Sequence, residues 1–269
     1  MRLDMSRRSL DRRQFLTLPL ALLLAPVAGV RAAGEPLRGA YEVSIGLLYN
    51  TLRFHLAGSS EERIDRGGGR YDVKLVGTGA DIANRVESTG VLREGRWAPI
   101  EAASWFQVRG RESHSRIVYD HGRSRIEFHF RGETFFLRRL RVVDDVFPMP
   151  ERIHVDDVVS AMLNYADNQW PVEADGSLQT HVVRRRRRQN EGVDDVDKNA
   201  RAELVSFSLK PTVDPATGKP TALFDLTRFS SWAREGQPGR IVFGPARRPE
   251  LIVTSLMMGT SVTIRVNSG

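Results

Sequence analysis

The stretch Ile153-His154-Val155-Asp156-Asp157-Val158-Val159-Ser160-Ala161-Met162-Leu163-Asn164-Tyr165 decides the fold, because its period differs from that of its surroundings. Most other segments alternate apolar and polar residues. Here Val158, Val159, Met162, Leu163 and Ala166 recur at three- and four-residue steps, which is the spacing of one helix face. Asp156 or Asp157 is placed to cap the free N–H groups at the helix start and to complement its positive end. Pro148 and Pro150 punctuate the approach. Strand-like segments lie on both sides, so the Val/Met/Leu face is expected to lie on, or plug, a large sheet. The fold class that follows is mainly β: a large curved antiparallel sheet or open β-barrel with one or two short helices packed on or in it.

Toward the N-terminus, residues 40–47 and 51–56 alternate around the turn-like Tyr49-Asn50 and form the first expected hairpin. Residues 61–64, 71–76 and 85–92 continue as strands, separated by Gly67-Gly68-Gly69 and by Gly77-Thr78-Gly79. Neither glycine group is a phosphate cradle: the first lacks a following Lys-Ser/Thr and the second lacks a third glycine and a dinucleotide-fold context. Residues 104–109, 114–119 and 124–130 are the next strands. A two-residue turn at His121-Gly122 would set Arg116 opposite Glu127, Ile117 opposite Ile126 and His114 opposite His129. That register puts Ile117, Tyr119, Ile126, Phe128 and Phe130 on one face and Arg116, Glu127 and the two histidines on the other. Phe135-Phe136-Leu137 and residues 140–143 carry the pattern to the helix. Beyond it, residues 179–188, 204–209, 241–243, 251–256 and 261–266 read as strands, and residues 213–220 read as a loop. Leu226, Phe229, Trp232 and Ala233 fit a second short helix over residues 224–233.

Composition narrows the classes. The chain of 269 residues has 41% hydrophobic and 27% charged content, which are globular values. Cysteine is absent, which excludes disulfides, thiolate metal sites, a cysteine nucleophile and an N-terminal lipid-modified Cys. Residues 1–32 hold six Arg against Asp4 and Asp11, so of the net +7 only about +3 belongs to the remainder, too little to suggest nucleic acid. Arg12-Arg13-Gln14-Phe15-Leu16, the apolar run to Val30 and the small-residue site near Ala32-Ala33 resemble a twin-arginine export signal. The run is short for a membrane span and contains Pro19 and Pro26. The expected organisation is a signal peptide over residues 1–32 and a single mature β domain over 33–269, periplasmic and with no transmembrane span.

Several motifs in order resemble the exported bacterial family of domain of unknown function 3108. They are Tyr41-Glu42-Val43 with its hairpin, Ser88-Thr89-Gly90 before Trp97-Ala98-Pro99, Arg109-Gly110-Arg111-Glu112, Val118-Tyr119-Asp120, and Val155 through Ala161. The resemblance covers residues 38–170 best. It implies an exported, mainly antiparallel β protein and supplies neither an activity nor catalytic residues.

Three groups of residues could carry chemistry. The apolar side chains Phe128, Phe130, Val158, Met162 and Leu163 would line a space for an apolar or lipid-like ligand if the sheet were a half-open trough. Arg184, Arg185, Arg186, Arg187 and Arg188 form the strongest charge run. They suit the phosphates of lipid headgroups or another anionic envelope polymer, or else pair with Glu191, Asp194, Asp195 and Asp197. His114 and His129 could share a metal only with further ligands, and none is evident. The adjacent carboxylates Asp144-Asp145, Asp156-Asp157 and Asp194-Asp195 fit turns and caps. No hydrolase signature is present and no cofactor is implied. The leading expectation is a ligand- or partner-binding envelope protein. The alternatives are an exported enzyme whose site is assembled from distant residues, and a ligand-free scaffold.

Overall fold

Alternation over most of the chain becomes, among the described residues, a meander of fifteen strands in a computed structural model of the protein. The structure describes residues 36–268 except 48, 50, 135, 187, 189, 190, 193, 228, 230–232, 234, 257 and 258. The proposed export signal over residues 1–32 lies outside the described residues. The first eight strands are β1 (Leu37–Leu47), β2 (Leu52–Asp65), β3 (Arg70–Gly79), β4 (Ile82–Arg93), β5 (Arg96–Val108), β6 (Arg111–Asp120), β7 (Arg125–Glu133) and β8 (Leu140–Pro148). A two-residue strand, β9 (Val155–Asp156), leads into helix α1 (Val158–Ala166). The chain then returns through β10 (Leu178–Arg185), β11 (Ala202–Val213), β12 (Pro220–Phe224), β13 (Gly239–Phe243), β14 (Pro249–Ser255) and β15 (Ser261–Ser268).

All fifteen strands belong to one sheet, ordered β8-β7-β6-β5-β4-β3-β2-β1-β15-β14-β13-β12-β11-β10-β9. Every ladder is antiparallel except β9 with β10, and among the described residues none joins the two ends. The ends nevertheless meet. Asp145 of β8 accepts the Ala202 N–H of β11 at 2.8 Å and the Arg201 guanidinium at 3.1 Å. Val143 of β8 packs in one cluster with Val155 and Val183 from the far end. The sheet is therefore curved into an open barrel with one α-helix among the described residues, within the expected class of a curved sheet or open barrel with one or two short helices. No helix among the described residues is long and apolar enough to cross a membrane.

Helix α1 lies inside the curve. Val159 and Leu163 pack on Tyr71, Val73 and Trp97 of β3 and β5. Ala161 and Tyr165 pack with Trp170, Leu209, Phe224 and Phe243 from the opposite wall. A helix touching two walls buries more than one stripe, which explains why Ser160 and Asn164 are fully buried although their polarity marks them for solvent. Val158, placed by its spacing on the apolar face, is instead 61% exposed, because it is the first helical residue and borders the open space described below.

Four local expectations change. The β6–β7 turn spans 121–124 and pairs Asp120 with Arg125, which sets Arg116 opposite His129, Ile117 opposite Phe128 and His114 opposite Arg131. Asp120 Oδ1 takes the Arg123 N–H at 2.9 Å, and Ser124 adopts the left-handed conformation (φ 49°) that closes this longer turn. A shift of two residues preserves side-chain parity, so the two faces keep their expected composition. Gly77-Thr78-Gly79 belongs to β3 instead of breaking it. The Tyr41 side chain lies over Gly58 and Gly77, where a Cβ would come within 2.3 Å of its ring and 2.7 Å of its hydroxyl oxygen, and its hydroxyl donates to Asn84 Oδ1 at 2.8 Å. The second helix is absent among the described residues. Phe224 ends β12 with its ring over Gly239, and Ala233 makes an isolated bridge to Leu256, while Trp232 lies outside the described residues. Phe136 and Leu137 lie in a turn, not a strand, with both N–H groups held by Asp194.

Candidate functional site

The 153–165 stretch joins strands that the sheet leaves unpaired. β5 carries a bulge at Ile100, where the β4 register shifts between Thr89 and Gly90, and its β6 ladder starts only at Glu101. Residues 96–99 therefore lack a β6 partner. The Asn164 side chain stands in for one: Oδ1 accepts the Trp97 N–H at 2.8 Å and Nδ2 donates to the Trp97 carbonyl at 2.8 Å. On its other side the same stretch pairs Val155 and Asp156 with His181 and Val182 of β10. Asp156 ties the two together, with its carboxylate accepting from Ser160 Oγ at 2.8 Å, Asn164 Nδ2 at 2.8 Å and Thr180 Oγ1. His154 Nε2 reaches both Asp156 Oδ1 at 3.2 Å and the Trp97 carbonyl at 2.9 Å. Arg96 stands 3.8 Å from the carboxylate. A fully buried carboxylate of this kind is stable only because donors surround it.

The neighbouring Asp157 is the N-cap, as its type and place predict. Its Oδ1 accepts the Ser160 N–H at 2.7 Å while Ser160 Oγ accepts the Asp157 N–H at 3.0 Å, a reciprocal capping box. Its second oxygen, Oδ2, is buried without a hydrogen-bond partner, as is Tyr119 Oη. Burial raises the Asp157 carboxyl above the ordinary carboxylate range, against the opposing pull of Ser88 and Ser160. Burial likewise pushes the phenols of Tyr119 and Tyr71 far up, with the Asp157 charge adding to each. An unsatisfied buried polar group costs about 1–3 kcal/mol.

Beside this polar knot lies a cavity of about 500 Å³. Val158, Ala161, Met162 and Tyr165 of the helix border it on one side, and Phe207, Phe224, Ile241 and Ile252 of the C-terminal strands, with Phe229 of the β12–β13 connection, line it as well. The remaining wall is Val86, Ile117 and Val183 with the cross-strand pair Ser104 and Ser115. Tyr119, Asp156 and Asp157 also border it. No Lys or Arg does so among the described residues.

Of the residues picked out by sequence, the cavity takes Val158 and Met162. Leu163 faces Tyr71, Val73 and Trp97 instead. Phe128 and Phe130 pack with Tyr119, Ile126 and Val143 at the seam. The arginine run is broken up into ion pairs: Arg184 with Glu203, Arg185 with Glu191, Arg186 at 3.9 Å from Glu203, and Arg188 with Asp197 at 2.8 Å. Arg187 lies outside the described residues. Glu191 is nearly buried, and although burial alone would raise its pKa, the Arg185 guanidinium holds it below the usual range. An external phosphate would have to displace these carboxylates. The two histidines sit diagonally on the outer face, with His129 Nδ1 at 2.8 Å from Asp144 and His114 Nε2 at 3.2 Å from Glu112. No cluster of three or more metal-ligating side chains occurs among the described residues.

The sequence matches no protein-family model and no curated protein. In structure the chain is similar to a β-barrel-like protein of domain of unknown function DUF1849 from Brucella abortus. The TM-score is 0.41 and the identity 9%, over 86% of this chain and 95% of that one. What the site can do rests on its own residues.

The aromatic wall was not singled out by sequence. Phe207 lies in a segment that reads as a strand, and Ile241 and Ile252 are directly paired in neighbouring strands. The missing information is curvature, since only a rolled sheet brings these positions opposite α1.

Proposed function

We propose that this chain is an exported periplasmic envelope protein that holds an apolar or lipid-like molecule between helix α1 and the C-terminal strands. The observation that carries the reading is the cavity of about 500 Å³ with an almost wholly apolar wall. Its size lies within the range of about 300–1,000 Å³ common for small-molecule sites. An apolar wall of this extent that faces water would gain hydrophobic stabilisation from a bound apolar molecule. Export is supported by Arg12-Arg13 with its apolar run, and the motifs that resemble the family of domain of unknown function 3108 would fit the same setting.

The test is native mass spectrometry of protein taken from the cell envelope, followed by organic extraction and thermal denaturation. A stoichiometric apolar molecule is expected, and adding it back at about 100 times its Kd should stabilise the stripped protein by about 2.7 kcal/mol. A protein that arrives empty and gains no stability from alcohols, fatty acids or phospholipids would refute the proposal.

A further inference from the structure

Away from the cavity, the segment Phe136-Leu137-Arg138-Arg139-Leu140-Arg141-Val142 interleaves apolar and cationic residues. Phe136, Leu137, Leu140 and Val142 are 46%, 59%, 44% and 42% exposed. The turn that presents the first two is firmly built. Thr134, 1% exposed, donates its N–H to the Arg139 carbonyl and accepts the Arg139 N–H on Oγ1, both at 2.9 Å. Asp194 holds the Phe136 and Leu137 N–H groups, and Arg138 donates to the Gly110 carbonyl at 2.9 Å, which fixes this turn to the β5–β6 turn beside it. Val142 lies opposite Arg131 on the outer face, since Val143 turns into the seam cluster. Unlike the arginine run, Arg109, Arg131 and Arg139 are exposed with no ion-pair partner among the described residues. Nearby, Glu112 binds His114, Glu133 binds Arg138, and Asp81, whose carbonyl takes the Arg109 N–H at 2.7 Å, offsets one charge.

We infer that this end of the sheet docks on an anionic phospholipid surface, with Phe136 and Leu137 entering the headgroup region and Arg139, Arg109 and Arg131 meeting lipid phosphates. The inference concerns different residues from the cavity and does not depend on what the cavity holds. Exposed apolar side chains alone would fit a protein groove equally well. Cations interleaved with them select a lipid surface, where apolar depth and phosphate lie within one side-chain length of each other. Unpaired guanidinium groups can contact phosphate without first displacing a carboxylate. A second copy of the chain fits less well, because a two-fold contact through the turn would set the same guanidinium groups against each other.

The test is flotation of the full mature protein with vesicles of phosphatidylcholine alone and of equimolar phosphatidylcholine and phosphatidylglycerol. Binding is expected only to the second and should weaken with added salt. Arg139→Gln should lower the affinity about fivefold, the effect of one basic side chain at an anionic surface, and Leu137→Gln about tenfold through lost apolar burial. Both side chains are exposed, so neither substitution should move the Tm. Arg123→Gln, in the exposed β6–β7 turn at the opposite end of these strands, should change nothing. Leu137→Trp should gain a blue-shifted emission that brominated phospholipid quenches. Equal loss in Arg123→Gln would reduce the binding to unspecific attraction and overturn the inference. Equal binding to both vesicles, binding to neither, or binding indifferent to Leu137→Gln would also overturn it. A protein that ignores vesicles but forms a dimer abolished by Leu137→Gln would replace it with an interface between copies.

Discussion

Two neighbouring residues of α1 separate packed core from ligand space, and truncating each in turn tests the whole arrangement. Leu163 is 3% exposed and fixed against Tyr71, Val73 and Trp97. Leu163→Ala removes three carbons from that contact, a transfer loss of about 2.4 kcal/mol at about 0.8 kcal/mol per carbon. The hole left behind raises the cost to about 3–5 kcal/mol, because Trp97 and Tyr71 are themselves held, edge to face at 5.8 Å, and cannot collapse into it. For a unit of this size about 1 kcal/mol corresponds to 2–4 °C, so the Tm should fall by roughly 10 °C. Met162 stands one position earlier, half-buried, with its side chain bordering the cavity. Met162→Ala enlarges a space that already exists and should cost about 1 kcal/mol or less in the ligand-stripped protein. Differential scanning calorimetry of both variants, stripped and reloaded, reads the contrast directly. Met162→Ala should lose part of the ligand-induced gain in Tm, whereas Leu163→Ala should keep its gain from a lower starting point. Equal destabilisation by the two substitutions would refute the reasoning, since it would mean that both walls of the helix are packed alike and no ligand space lies beside it.

Two further predictions concern the helix terminus and export. Arg66 makes a two-pronged pair with Asp167 at 2.7 and 2.8 Å, and Asp167 also accepts the Trp97 indole N–H at 2.9 Å, so the Arg66 hydrogen bonds hold the Asp167 carboxyl below its ordinary range. A depressed carboxyl stabilises the fold above its unfolded pKa of about 3.9 and loses that contribution as pH falls through the folded value. Arg66→Gln should therefore lower the Tm by about 3 °C at pH 7, a modest figure because Arg66 is largely exposed, and by progressively less as the pH falls below about 3.9; a deficit that does not shrink with falling pH would show that the pair is not the cause. For export, the mass of the envelope-purified chain should correspond to a start near Ala33, and Arg12→Lys with Arg13→Lys should hold precursor in the cytoplasm. Normal processing of that double variant would point to a general secretory signal instead.

The mainly β class, the single reliable helix and its acidic cap were legible because each depends on local period or local chemistry. Alternation places side chains on two faces whatever the neighbours are, so the faces of β6 and β7 came out correctly even though the turn between them is two residues longer than expected. What alternation cannot convey is which far strand a face will meet. Phe207 and Ile241 lie at least 40 residues from α1 in sequence and face it only because the sheet curls until β8 reaches β11. The same limit applies to Asn164, where helical spacing implies a solvent-facing polar residue while the bulge at Ile100 makes it the partner of Trp97.

The arginine run shows the opposite effect, a strong local signal that tertiary structure cancels. Five consecutive guanidinium groups suggest an anion site, yet Arg184 and Arg185 lie on β10, where successive side chains point to opposite faces, so these two cannot converge on one phosphate. Arg184 turns to Glu203 on its ladder partner β11, and Arg185 turns to Glu191, which Arg141 of β8 also approaches at 3.5 Å. The run therefore sits where the two ends of the open sheet come together, and its charge is used to hold the β8 side to the loop after β10. That closure needs no backbone ladder across the seam. Asp145, Glu191 and the Arg141 contacts to the Gly192 and Asp195 carbonyls, at 3.2 and 2.7 Å, join by side chains what strands would otherwise join by hydrogen-bonded edges. A barrel closed in this way can keep one side wide enough for a cavity, because side-chain bridges span gaps that the spacing of about 4.8 Å between paired strands does not allow.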